Sequence, residues 1–254
     1  MTNGFVSFIL GADFNLLPKN CGMSVSDRVS HGNATLVYEH PWMAVIRYTS
    51  KEKILDLCVG SLINERYVLT AGQCIRNKTL HSVILGEHTK SQDRDCNKFY
   101  DANGMLLEMD CAEAVEEFGI ESFEHHAEYD RPAHSNDIGL LRLNRRVVMK
   151  DHIQPICLPI TAELRRLTSS YFIAVGWGET KNDTTSDVLK EINQLRIDNE
   201  ALKRYTTDIG SIFSWAASRC VLEMKMRTVR AEDLVVDRWA SLPIMTDLDS
   251  YKSA

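Results

Sequence analysis

No apolar run in this 254-residue chain reaches the roughly 18 residues that a membrane-spanning helix needs; the longest near the start, Phe5 to Ala12, is about half that. That excludes a helical membrane span. Lys and Arg are scattered rather than gathered into a stripe, and the net charge is -6, so a nucleic-acid partner is not expected. There is no C-x-x-C pair, which argues against a zinc site, and no cofactor motif. Glycine is absent after Gly210, so any tight turn that needs a positive φ is hard to build in the last stretch of chain.

What is present suits a globular, exported protein. The chain is 44% apolar and 25% charged, enough to bury one large all-β domain or two small ones. Seven cysteines spread along it point to disulfides formed in an oxidising compartment. Three N-x-[ST] triplets, at Asn33, Asn77 and Asn182, are candidate glycosylation acceptors if the protein is secreted. The opening MTNGFVSFILGADF reads as part of a secretory signal, though without a basic n-region, or as an apolar N-terminal strand or a wrongly placed start.

Strand signals run from about residue 42 to 196. Trp42 to Tyr48 alternates, and Val59 to Cys74 reads as two strands around Asn64-Glu65-Arg66. His81 to Leu85, Asp137 to Leu143, Tyr171 to Trp177 and Val188 to Arg196 follow. Trp42, Phe172, Ile173 and Trp177 are expected in the core. Asp93 to Glu117 is acidic, holds Cys96 and Cys111, and reads as a long surface loop closed on itself. Past Asp198 the character changes, with Asn199 to Tyr205 and Met224 to Val235 reading as helix or irregular structure.

DRVSHGN (27–33), HPWMAVI (40–46), VGSLINERYVLTAGQC (59–74), NDIGLLRL (136–143), QPICLP (154–159) and VGWGET (175–180) follow one another in the order found in chymotrypsin-like serine proteases. The chain resembles that trypsin family, insect clip-type proteases in particular, over about residues 20 to 196. The resemblance implies an all-β fold of two six-stranded antiparallel β-barrels, the second incomplete or rearranged at its C-terminal end. It implies a leader or pro-segment over residues 1–28 and a protease-like domain over 29–254, with zymogen cleavage between Arg28 and Val29. It pairs Cys58 with Cys74, Cys96 with Cys111 and Cys21 with Cys157, and leaves Cys220 as either a thiol that lost its partner or a buried free thiol.

The chemistry of that family needs a serine activated by a histidine, which a buried aspartate orients. By resemblance the histidine position is Gln73, whose carboxamide has no useful basicity and cannot serve as a general base. The aspartate position is Asp137, expected as a buried carboxylate bound by backbone N–H groups and the Gln73 amide. The glycine-rich serine turn is not recognisable; aligning RWASLPIM on it puts Ala240 at the serine position, with Ser241 beside it read as a solvated serine. No aspartate stands beside Ala240 to receive the amino group freed at Val29. His125 and His126 in FEHHAEYD resemble a family loop landmark rather than a metal site, and Glu87, where the family has a calcium loop, is expected to be a solvated carboxylate. Neither metal nor cofactor is expected. Three readings follow: an inactive homologue that binds extracellular proteases or protein substrates of a proteolytic cascade; a degenerate product of an active protease gene; and a peptidase working with a displaced histidine.

Overall fold

The computed structural model describes residues 17–24, 35–51, 53–131, 135–159, 171–178 and 185–195. Arg28, Val29, Asn33, Asn182, Cys220, Ala240 and Ser241 lie outside these residues, as do the two segments read as helix or irregular structure.

Ten strands lie in the described residues: β1 Met43–Ser50, β2 Lys53–Leu62, β3 Tyr67–Thr70, β4 Leu80–Leu85, β5 Cys96–Tyr100, β6 Leu106–Cys111, β7 Glu116–His125, β8 Gly139–Leu143, β9 Tyr171–Gly176 and β10 Lys190–Leu195. Six of them close a barrel in the order β1-β2-β3-β8-β7-β4, every pair antiparallel. Closure leaves this barrel no open edge. Its interior is filled from all round the wall, by Ile46, Leu62, Val68, Leu85, Phe118 and Leu141, each essentially inaccessible to solvent. The turn between β2 and β3 falls at Asn64–Arg66 because the Asn64 Oδ1 accepts the backbone N–H groups of Arg66 (2.8 Å) and Tyr67 (2.9 Å). Gly60 is required there: a Cβ on it would come within 2.6 Å of Val68 Cγ1 and 2.7 Å of the Leu69 carbonyl oxygen.

The fold is all-β, as expected, with one closed six-stranded barrel and, from the second half, the antiparallel ribbon β9-β10. Two details differ from expectation. The acidic segment 93–117 is not an irregular loop: β5 and β6 form a hairpin whose register puts Cys96 opposite Cys111. Its residues are exposed on both faces except near the base, so no inward-outward alternation marked it as strand. Phe172 and Ile173 are half-buried, since β9 pairs only with β10 among the described strands. Trp42 and Trp177 are fully buried.

Disulfides join Cys21 to Cys157, Cys58 to Cys74 and Cys96 to Cys111. The second ties β2 to the turn after β3, and the third staples the hairpin at its base. Asn77, φ 57°, is exposed in the turn that leads to β4.

Candidate functional site

Gln73 sits in a single 3-10 turn, Gly72–Cys74, between β3 and β4. Several contacts hold that turn. Cys74 is bonded to Cys58, and the Cys74 carbonyl accepts the buried Tyr48 hydroxyl at 2.7 Å. A Cβ on Gly72 would lie 3.1 Å from the Tyr129 ring, and one on Gly139 would lie 2.4 Å from Ile75 Cδ1, so the turn is packed hard against the start of β8. Asp137 leads into β8, and its Oδ1 accepts the Gln73 backbone N–H at 2.8 Å. The loop before it is shaped by Asn136, φ 56°, whose Nδ2 donates to the Glu128 carbonyl at 3.1 Å. Asp137 and Gln73, 64 positions apart, are thus brought together. Asp137 is half-buried rather than buried. The position beside its carboxylate presents an amide, which exchanges hydrogen bonds but takes no proton.

His125 ends β7, with His126 the next residue, close to this region. His125 Nδ1 donates to the His126 carbonyl (3.0 Å), and His126 Nδ1 accepts the Glu128 N–H (3.1 Å). Each ring therefore has one nitrogen committed to its own loop.

Glu87 corrects the expectation of a solvated carboxylate. It is half-buried, and burial, followed by the negative charge of Asp95, pushes its carboxyl up to about 7. Asp95 itself is buried, accepting His88 N–H at 3.0 Å and Thr89 N–H at 2.9 Å. His88 donates from Nε2 to the Thr35 carbonyl (2.8 Å), and its own carbonyl accepts both Trp177 Nε1–H (2.9 Å) and Leu189 N–H (2.8 Å). This segment joins the barrel to the second half of the chain. Because the folded carboxyl holds its proton to a higher pH than the unfolded one, the folded state binds more protons between about pH 4.5 and 7. Stability should therefore fall as pH rises through that window, by about 1–2 kcal/mol once solvent screening of a half-exposed group is discounted. Melting temperatures taken from pH 5 to pH 8 should show this decline, and Glu87→Gln should flatten it; equal slopes would remove Glu87 as the cause.

One group among the described residues has metal-ligating geometry, with donor atoms of Glu39, His40 and Glu191 within 4.8 Å of one another. These donors are already engaged. His40 Nε2 donates to Glu191 at 3.0 Å, holding that carboxyl below the usual carboxylate range, and Glu39 Oε2 accepts Leu36 N–H at 2.7 Å. The group acts as a partly buried clasp between the approach to β1 and β10. Sequence reasoning missed it because 151 positions separate His40 from Glu191. The pocket beside it, lined by His40, Glu87, His88 and His152, measures about 10 Å³, room for one water and far too small for a peptide.

Comparison with known proteins decides the family. The family model described as Trypsin matches residues 29–218. The chain belongs to the trypsin family. It is 41% identical over 179 residues to the Drosophila melanogaster protein "Serine protease grass", covering 68% of this chain and 46% of that protein. It is 37% identical over 186 residues to "CLIP domain-containing serine protease HP8" of Bombyx mori, covering 68% of this chain and 48% of that one. Among solved structures it resembles the Drosophila Grass clip serine protease of the Toll pathway, with a TM-score of 0.64 and 36% identity over 80% of this chain and 56% of that chain. This trypsin-family chain spans about half the length of the curated relatives it matches.

Proposed function

We propose that this trypsin-family homologue acts by binding, without peptidase activity, in an extracellular proteolytic cascade. One observation carries the reading: the Asp137 carboxylate meets the backbone of residue 73 at 2.8 Å, and the side chain carried there is a carboxamide. In that position a histidine would take the serine proton; glutamine cannot. The proposed roles are Asp137 as the retained aspartate, Gln73 at the histidine position and Ala240 at the serine position. Arg28–Val29 is the proposed activation bond. The disulfides and the exposed Asn77 triplet support secretion. The cascade setting comes from relatives such as "Melanization protease 1" and "Spaetzle-processing enzyme", to which the chain is 38% and 35% identical. The partners are proteases of that cascade or their protein substrates.

A fluorophosphonate probe, which captures an activated serine, should leave the folded, Arg28-cleaved protein unlabelled while labelling trypsin beside it. Labelling at any serine would overturn the reading in favour of a peptidase using a displaced base.

A second reading draws on the loss of glycine after Gly210 and the end of the family match at residue 218. On it, the C-terminal stretch is an altered product of an active protease gene. An intact glycine-serine turn encoded in another frame or exon beyond residue 220 would establish that reading and remove the first.

A further inference from the structure

The hairpin β5-β6 exposes more large apolar side chains than any other element described. Met105 (64% accessible), Leu107 (64%) and Met109 (56%) stand in solvent, with Tyr100 and Leu106 paired across the other face. Single exposed hydrophobics are ordinary; five on one sixteen-residue hairpin are not, and such patches mark interaction sites. The hairpin is also pre-organised. Its base is fixed by the Cys96–Cys111 bond and by Asn97, whose Oδ1 accepts Val37 N–H (2.9 Å) and whose Nδ2 donates to the Val37 carbonyl (3.3 Å). Its tip is fixed by Asp101, whose Oδ1 accepts the N–H groups of Asn103 (2.9 Å) and Met105 (2.7 Å), with Gly104 at φ 81° completing the turn.

Charge selects the occupant. Residues 93–117 hold eight Asp and Glu against two Lys and Arg, a balance equal to the -6 of the whole chain, so the remainder is neutral. A second copy would bring the same charge to the contact, and an anionic lipid surface would meet carboxylates. We propose that the tip and outer face of this hairpin, Met105, Leu107 and Met109 within the acidic segment, form a docking surface for a basic, apolar polypeptide segment of a partner protein. Methionine on such a surface adapts its shape to different apolar side chains, while the disulfide and the capped turn limit the ordering cost of binding. This deepens the binding role proposed above and rests on it.

The test is fluorescence anisotropy of a labelled alternating Lys-Leu dodecapeptide, and of its Glu-Leu counterpart, titrated with the full chain. The Lys-Leu peptide should bind, and weaken at least about tenfold between about 50 and about 500 mM salt. Leu107→Ser with Met109→Ser should weaken it about tenfold while leaving the melting temperature unchanged, since both side chains face solvent. Glu108→Gln with Asp110→Asn should reduce the salt dependence. Equal binding of both peptides, or undiminished binding by the serine variant, would overturn the proposal. So would a dimer in sedimentation, or uptake on phosphatidylserine vesicles, that the serine variant abolishes. Failure here with no fluorophosphonate labelling leaves the inactive homologue standing; labelling with hairpin binding intact removes that reading and keeps the surface.

Discussion

Gln73→His should leave peptide hydrolysis at the uncatalysed background. The substitution supplies an imidazole where Asp137 can meet it, since the Asp137 carboxylate already binds the backbone of residue 73. On the proposed reading, that imidazole has no serine to activate. The serine and its oxyanion hole require a glycine-rich turn that points two backbone N–H groups at the developing charge, and the chain has no glycine after Gly210. Loss of the serine or the histidine in other serine proteases costs about 10⁶ in kcat, and such losses are not additive, so restoring one of them leaves nearly the whole deficit of about 8 kcal/mol. The check is kcat/KM for the Arg28-cleaved variant on a fluorogenic peptide. A rise of about 10³-fold or more over wild type would mean that a working serine turn lies beyond residue 196.

Phe118→Ala should cost about 3–5 kcal/mol, a large part of the roughly 5–15 kcal/mol expected for a domain of this kind. Phe118 is fully buried on β7, paired with Val83 of β4, and the Arg145 guanidinium lies 3.9 Å from its ring centroid. It is the only fully buried position of β7, the strand that joins β4 to β8 and closes the barrel. Truncation leaves a cavity among rigid strands that cannot collapse to fill it. Chemical denaturation gives the number directly, and a loss below about 1 kcal/mol would mean that β7 is not seated as described.

That strand also shows where sequence reading stopped. Glu116–His125 carries charges and exposed residues around one buried phenylalanine, so no alternation announced it. β1 was legible as a short apolar run, Met43–Ile46, that the structure buries entirely, β3 by the alternating burial of Val68 and Thr70, and β2 because its last residues enter the core. The β2–β3 turn was legible through Asn64. At the candidate site, the segments TAGQC and NDIGLLRL singled out Gln73 and Asp137, and the structure brings the Asp137 carboxylate onto the Gln73 backbone. The Glu87 environment was not, because its burial comes from segments distant in sequence, and the charge that raises its carboxyl further belongs to Asp95 in the stretch read as a loop. The His40–Glu191 clasp was invisible for the same reason. Exposed apolar side chains on β6 left no signal either, since a strand solvated on both faces has no preferred period.

Whether the proposed retention of the scaffold without the reaction holds is read most directly from hydrolysis of fluorogenic peptides, presenting arginine, phenylalanine or alanine before the scissile bond, by the refolded, disulfide-intact chain cleaved after Arg28. Product formation should equal the buffer blank under conditions where trypsin at the same concentration turns over freely. Steady turnover above that blank, abolished by fluorophosphonate, would contradict it.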